Sequence, residues 1–183
     1  PDEIVDVYGA DTMRLYEMFI GDFEKAAPWS PKSIKGCRRF LERVWSLAEK
    51  VQDGDEYSKE HEALMHRTIK KVGEDADSLK ANTAIAALMT MLNEFYDKGV
   101  NKAEYKTFLA LLNPFAPHIT EELYQVMGYD GVLNEQKWVE YDEKLCVEDS
   151  VEIVVQVNGK VKARFNAPVD CAKEELELSL IHI

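Results

Sequence analysis

The run Leu111-Leu112-Asn113-Pro114-Phe115-Ala116-Pro117-His118-Ile119-Thr120-Glu121-Glu122-Leu123 combines a helix end, a tight corner and a new helix start. Pro114 and Pro117 cannot donate backbone hydrogen bonds, and each disfavours a helical conformation in the residue before it. We therefore expect one helix to end near Asn113 and another to begin at Pro117, because proline suits the first helical position. Phe115, between the two prolines, is expected to be buried in the core.

Apolar residues recur at helical spacing through most of the chain, so the sequence predicts a mainly α-helical protein. Two short helices are expected over residues 1–8 and 11–20, with Asp11 as a candidate N-cap of the second. Five longer helices follow. The first of these helices ends at Gly54. The second begins near Ser58 or Glu60 and buries Leu79, and the third begins at Asn82 or Thr83 and ends at Gly99. The last two cover residues 102–113 and 117–127. Short connections between these helices predict an antiparallel bundle.

The pattern changes after the bundle. Helical periodicity is lost over residues 131–149, which we interpret as a connecting segment. Residues 151–157 then alternate apolar and polar, and Asn158-Gly159 supplies a turn, so a β-hairpin is expected. We therefore predict three parts: a helical bundle over 1–130, a linker over 131–150, and the start of a small C-terminal α+β domain over 151–183.

Two registers are compatible with the hairpin sequence. A two-residue Asn-Gly loop pairs Ile153 with Arg164, which mixes apolar and charged groups on one face. A three-residue loop pairs Ile153 with Ala163 and Val155 with Val161, which gives one apolar face, and we favour it. In that register Lys160, Lys162 and Arg164 share the polar face.

Composition restricts the possible functions. The 183 residues include 22 Lys and Arg against 34 Asp and Glu, which gives a net charge of −12. This charge disfavours a free-standing nucleic-acid binder driven by counterion release, so any RNA contact must be local. Three widely separated cysteines fit structural thiols in a reducing, cytoplasmic environment. The chain does not begin with Met and its last residues interrupt a helical pattern, so we expect it to be part of a longer protein.

Motifs of catalysis are absent from the sequence. It has no glycine-rich phosphate cradle. His61 and His66 are five residues apart, which does not place two metal ligands on one helix face, so no zinc site is expected. Adjacent Glu121 and Glu122 diverge on a helix and are interpreted as partners of the helix dipole. His118, at the corner, is expected to be a structural hydrogen-bonding group.

The basic side chains are the remaining candidates for a binding role. Arg39, Arg43, Ser46 and Lys50 recur at helical spacing, and we name these four residues the basic stripe. The alternative interpretation is a solvated helix face on which Glu42 and Glu49 form salt bridges. The complete set of candidate phosphate contacts is Arg38, Arg39, Arg43, Lys50, Lys70, Lys71, Lys160, Lys162 and Arg164.

Several runs stand in a fixed order along the chain. They are Pro1-Asp2-Glu3-Ile4-Val5 followed by Tyr8-Gly9-Ala10-Asp11-Thr12, Arg38-Arg39-Phe40-Leu41, Asn82-Thr83-Ala84-Ile85-Ala86-Ala87-Leu88, the corner at 111–123, and Val155-Gln156-Val157-Asn158-Gly159-Lys160-Val161. Together they resemble class I aminoacyl-tRNA synthetases of the leucine, isoleucine and valine group. The last run is similar to the leucyl-tRNA synthetase family in particular. Tyr124 and Thr120 stand where that family usually has Trp and Ala.

This resemblance implies the tRNA-binding helical bundle of a class I ligase. The expected partners are leucine-specific tRNA and the missing catalytic and editing domains of the same protein. The fragment itself is expected to hold no cofactor and to be inactive, since ATP and Mg²⁺ belong to the missing catalytic domain. The resemblance further implies that the anticodon is not the main element read. Two alternatives remain: an acidic helical scaffold or protein-interaction module, and the equivalent domain of a valyl- or isoleucyl-tRNA synthetase.

Overall fold

The computed structural model describes residues 2–21 and 29–146, and the backbone of residues 150–157 and 160–168. The chain divides into two compact units, Pro1–Cys146 and Val147–Ile183. The described part of the first unit is mainly helical, as predicted. Its helices are α1 (Asp2–Tyr8), α2 (Ala10–Phe19), α3 (Pro31–Leu47), α4 (Glu62–Asp77), α5 (Ala81–Lys98), α6 (Lys102–Leu112) and α7 (Pro117–Val126). Short 3-10 helices cover Ala48–Lys50, Leu133–Glu135 and Glu143–Cys146.

The proline corner forms where the sequence predicts it. Helix α6 ends at Leu112, α7 begins at Pro117, and the side chain of Phe115 between them is buried. The core beneath the corner contains aromatic rings, including Phe95 and Phe108, whose centroids lie 5.9 Å apart in an edge-on arrangement. Such pairs add about 0.5–1.5 kcal/mol beyond the free energy of burying their area.

Asp11 does not cap its own helix, so that prediction was wrong. Gly9 occupies the N-cap position of α2 with φ 87°, and Asp11 lies in the first turn. Its buried carboxylate instead reaches the start of α7, where it accepts a hydrogen bond from the backbone N–H of Ile119 at 2.7 Å. Nδ1 of His118 lies 2.7 Å from the same carboxylate, which confirms the structural role expected for this histidine. Asp11 therefore joins α2 to the corner.

A buried carboxylate holds the start of α6. Glu104 and Asn101 form a reciprocal capping box, in which the Asn101 N–H donates to Glu104 Oε2 at 2.9 Å. The other oxygen, Oε1, accepts from the backbone N–H and hydroxyl of Ser58 at 2.9 and 2.7 Å. Burial acts to raise the pKa of Glu104, but the hydrogen bonds from Ser58 and Asn101 outweigh it and lower that pKa. The charged carboxylate thus links α6 to the loop before α4.

Two details of the bundle differ from prediction. Helix α3 ends at Leu47 and is followed by a 3-10 turn, so Gly54 does not terminate it. Leu79, expected to be buried, is 73% exposed and has φ 56°, because the chain reverses direction there between α4 and α5. A left-handed backbone conformation is uncommon for a leucine and is typical of such reversals.

Residues 131–146 lie on the helical bundle. Leu133 is buried, and the N–H groups of Leu133 and Asn134 donate to the Glu121 carboxylate at 3.1 and 3.2 Å. Further along, the N–H of Asp142 donates to Nδ1 of His66 on α4 at 3.0 Å. Glu121 thus binds the start of this segment, a contact that its interpretation as a dipole partner did not anticipate.

The second unit contains two antiparallel strands, β1 (Ser150–Val157) and β2 (Lys160–Pro168). The three-residue register favoured above is wrong, and the two-residue register holds only for the pairs Gln156–Val161 and Val157–Lys160. Ile153 lies opposite Phe165 and Val155 opposite Ala163, whereas Gln156 lies opposite Val161. The irregularity between Val155 and Gln156 shifts the register by one residue, which the alternation pattern does not reveal. The predicted turn at 158–159 lies outside the described residues.

We predict that Glu104→Gln lowers the free energy of unfolding by about 1–3 kcal/mol, because the amide cannot accept every hydrogen bond that the carboxylate accepts. Since the pKa of Glu104 is lowered by folding, its contribution is complete above the unfolded value of about 4.3 and is lost as the pH falls through the folded value. Urea unfolding followed by helical circular dichroism from pH 3 to 7 measures this. The difference in free energy of unfolding between Glu104→Gln and wild type should become smaller as the pH approaches 3. Glu94→Gln, which removes only a half-exposed ion pair with Lys98, is the matched control, with an expected change below about 0.5 kcal/mol. Equal losses in both variants would contradict the prediction.

Candidate nucleic-acid interface

Two cations of the basic stripe meet at one aromatic ring. Cζ of Arg43 lies 4.7 Å from the ring centroid of Tyr96, and Nζ of Lys50 lies 4.8 Å from the same centroid. Arg43 belongs to α3, Lys50 to the 3-10 turn after it, and Tyr96 to α5. The Tyr96 hydroxyl donates to the backbone carbonyl of Arg43 at 2.8 Å. This hydrogen bond fixes the ring against α3, so the two cations share a rigid support.

The three cations of the basic stripe are not neutralised within the described part of the protein. There, no carboxylate oxygen lies within 4 Å of Arg39, Arg43 or Lys50. Glu42, which the alternative interpretation paired with this stripe, binds Arg38 at 2.8 Å instead. Arg39 is exposed. The stripe therefore presents positive charge to solvent on a protein whose net charge is −12.

Arg38 has a structural role that the sequence did not indicate. Its Nη1 donates to the backbone carbonyl of Tyr8, the last residue of α1, at 3.1 Å, while Nε donates to Glu42. A cation at a helix C-terminus satisfies a carbonyl that lacks an intrahelical partner. Arg38 thus connects α1 to α3, and its charge is already paired with a carboxylate.

The lysines of α4 are also paired. Lys71 forms an ion pair with Asp75, four residues further along the same helix. Lys70 pairs with Glu143 of the 3-10 helix that packs on α4, and this hydrogen bond raises the pKa of Lys70. Both residues lack the uncompensated charge that distinguishes the basic stripe.

The remaining predicted contacts lie on β2. Lys160 is opposite Val157 and Arg164 is opposite Val154 in the strand pairing, and Lys162 falls where the register shifts. The side chains of these three residues lie outside the described part of the structure. The structure therefore brings Arg43 and Lys50 together and leaves the β2 residues as predictions.

Two further features of the described residues bear on function. No three His, Cys, Asp or Glu side chains among them are grouped to hold a metal ion. Within the same residues, no helix is both long and apolar enough to cross a membrane.

Tyr96 was missed from the sequence. It lies 53 residues from Arg43, and in the sequence it reads as one more aromatic residue of a helix. Its neighbours Asn93, Glu94 and Asp97 are polar, which indicates a helix face near solvent but does not identify the cations that approach it. Only the packing of α5 against α3 reveals the site.

Comparisons with known proteins agree on one family. Residues 59–177 match the family described as the anticodon-binding domain of tRNA ligase. The chain is 52% identical over 178 residues to the leucine–tRNA ligase of Alkaliphilus oremlandii (strain OhILAs), a match that covers 97% of this chain and 22% of that protein. It is also similar to a solved structure, the ternary complex of Agrobacterium radiobacter K84 agnB2 LeuRS-tRNA-LeuAMS. That match has a TM-score of 0.75 and 27% identity, and covers 100% of this chain and 26% of the other. The chain thus spans about a quarter or less of the length of these relatives.

We predict that the Arg43–Tyr96 contact contributes about 0.5–1 kcal/mol of coupling free energy, the range for an exposed cation over an aromatic ring. A double-mutant cycle with Arg43→Gln and Tyr96→Leu, read by urea unfolding, measures this coupling. Tyr96→Phe keeps the ring and removes only the hydroxyl, so a cycle of Arg43→Gln with Tyr96→Phe should give a coupling free energy near zero. A coupling free energy near zero in the Leu cycle would contradict the cation–ring contact.

Proposed function

Because the chain belongs to the anticodon-binding domain family of tRNA ligases, we propose that it is the tRNA-binding portion of a leucine–tRNA ligase. The 52% identity to a leucine–tRNA ligase supports the leucine enzyme over the valine and isoleucine ones. The solved structure that resembles this chain is a ternary complex with tRNA, which supports tRNA as the partner. On this proposal the catalytic and editing domains, with ATP and Mg²⁺, lie elsewhere in the parent protein, which acts in the cytoplasm.

The observation that carries the proposed contact is the uncompensated charge of the basic stripe. Phosphate oxygens are bound by arginine and lysine irrespective of base sequence. Arg43 and Lys50 approach the same ring, and we propose that both bind phosphates of the tRNA backbone. Arg39 extends the same face. Such contacts orient tRNA by its shape and backbone, so that its acceptor end reaches the active site, without reading the anticodon.

The proposed division of labour follows the predicted domains. The helical bundle over 1–130 docks the tRNA, the segment over 131–150 connects, and residues 151–183 begin a small C-terminal α+β domain with its β-hairpin. In that domain Lys160, Lys162 and Arg164 are proposed as further backbone contacts. Lys70 and Lys71 of the bundle are less suited to this role, because each is engaged by a carboxylate.

We predict that Arg43→Gln and Lys50→Gln each weaken binding of a leucine tRNA transcript. The slope of log K against log salt concentration should fall by about one for each phosphate contact removed. Fluorescence anisotropy across a salt series measures both quantities. Lys71→Gln is the matched control and should leave the slope unchanged. If the folded chain bound no tRNA, or if all three variants behaved alike, the proposed contact would be wrong.

In the full-length ligase we predict that the double change Arg39→Ala/Arg43→Ala slows tRNA charging but leaves amino-acid activation unchanged. The physical reason is that the stripe contacts only tRNA, whereas activation requires only ATP and the amino acid. Aminoacylation and pyrophosphate exchange assays on the same enzyme separate the two steps. Equal loss of both would argue that the substitutions disturb the fold.

A further inference from the structure

Tyr96 differs from the other aromatic rings that cations approach in the described part of the protein. Its ring receives two cations, with Cζ of Arg43 4.7 Å and Nζ of Lys50 4.8 Å from the centroid. Each of the other rings is approached by one cation. At Tyr141, for example, Nζ of Lys70 lies 5.9 Å from the centroid, and that lysine also has a carboxylate partner. Among the described residues, Tyr96 is therefore the ring at which two cations without carboxylates meet.

The two cations over this ring repel each other. The ring attracts each of them through its negative face, but it has no net charge and cannot neutralise them. The distances to the centroid place the two charges within about 10 Å of each other, about one Debye length at 0.1 M salt. Glu49 and Asp97, which neighbour Lys50 and Tyr96 in sequence, form no ion pair with either cation in the described part of the chain. The arrangement therefore favours an anionic partner.

The fold holds Tyr96 itself in place. Its side chain is half-buried and packs against the core, and its hydroxyl donates to the backbone carbonyl of Arg43 at 2.8 Å. The side chains of Arg43 and Lys50 are long and have many rotamers, and such side chains lose conformational entropy when they bind a partner. A ring that already restricts both cations reduces the entropy that is lost on binding.

We propose that Tyr96 is a positioning residue for RNA, whose ring holds Arg43 and Lys50 near their binding conformations before tRNA arrives. This proposal rests on the proposed tRNA-binding function and adds a source of selectivity to it. A folded tRNA has its phosphates at positions set by its own structure, so cations that are already arranged bind it with little further ordering. A flexible polyanion binds diffusely by charge and gains little from the arrangement. Tyr96 thus favours structured RNA over flexible polyanions.

The test measures the affinity of the 183-residue chain for a leucine tRNA transcript and for inorganic polyphosphate, each across a salt series. Tyr96→Leu removes the ring and keeps both cations. It should weaken tRNA binding by about tenfold, which corresponds to a factor of about three for each side chain that must be ordered on binding. The salt slope should equal that of wild type, because both cations still reach their phosphates in the complex. Affinity for polyphosphate should change by less than about twofold.

Three further variants separate positioning from a structural effect. Tyr96→Phe keeps the ring, so it should recover most of the affinity that Tyr96→Leu loses. Tyr141→Leu is the matched control, since it removes a ring beside a cation that is already paired, and it should bind as wild type does. In the background Arg43→Gln/Lys50→Gln, Tyr96→Leu should have no further effect, because no cation remains for the ring to position. A merely structural role of Tyr96 would weaken binding in this background as well.

Circular dichroism checks that each variant is folded. If Tyr96→Leu does not show the helical signal of wild type, Tyr96→Met takes its place, because the flexible methionine side chain fills irregular space in a core.

Each other outcome rejects a defined part of the argument. If Arg43→Gln weakens tRNA binding while Tyr96→Leu binds as tightly as wild type, the positioning role is wrong and the proposed function stands. Equal weakening of tRNA and polyphosphate binding, or a lower salt slope in Tyr96→Leu, would also overturn the positioning role, because phosphate attraction itself would then be lost. If the folded wild-type chain binds no tRNA, the proposed function fails and the positioning role fails with it.

Discussion

The position of α3 depends on two tyrosine hydroxyls that bind consecutive backbone carbonyls of this helix. Tyr96 of α5 donates to Arg43 at 2.8 Å, and Tyr105 of α6 donates to Val44 at 2.9 Å. Tyr105 is fully buried, and burial raises its pKa, so it remains a protonated donor. A buried hydroxyl without an acceptor costs about 1–3 kcal/mol, so any rotation of α3 that breaks these bonds is opposed. The two bonds therefore fix which face of α3 points outward.

The N-terminal helices are fastened by charged groups that bind backbone atoms. Arg14 donates to the carbonyl of Pro114 at 3.1 Å, and Arg38 donates to the carbonyl of Tyr8 at 3.1 Å. Asp11 accepts from the start of α7. Hydrogen bonds to charged groups contribute about 1.5–3 kcal/mol each and are directional, so they specify the angle between elements. Arg14 and Asp11 on α2 and Arg38 on α3 thus already bind groups of the protein. Arg43 and Lys50 have no carboxylate partner among the described residues.

Much of the bundle could be predicted from sequence because helix ends are local events. Proline excludes itself from a helix interior, and so the boundary between α6 and α7 follows from Pro114 and Pro117 alone. The roles of Asp11 and Arg38 could not be predicted, since their partners are 108 and 30 residues away. A carboxylate early in a helix suits its own N-terminus, and only tertiary packing brings a second N-terminus within reach. The contact of Tyr96 with the basic stripe could not be predicted for the same reason, because Tyr96 is far from Arg43 in sequence. The prediction of the strand register was wrong for another reason. Alternation of apolar and polar residues does not show where one strand contains an extra residue.

Net charge alone is a poor guide to whether a protein surface can bind RNA, because a phosphate responds mainly to the charges close to it. A value of −12 indicates repulsion of a polyanion at a distance. At physiological salt, however, charges more than about 8 Å apart are largely screened, so a phosphate responds mainly to its nearest neighbours. Two acidic groups close in sequence to the candidate surface are paired with cations: Glu42 with Arg38 at 2.8 Å and Glu94 with Lys98 at 3.1 Å. The acidic residues elsewhere on the protein then limit non-specific binding of nucleic acid, while the basic stripe still attracts phosphates that come close to it. Binding on such a surface requires the correct shape to bring phosphates within reach, so the acidic background itself favours a specific RNA over an arbitrary one.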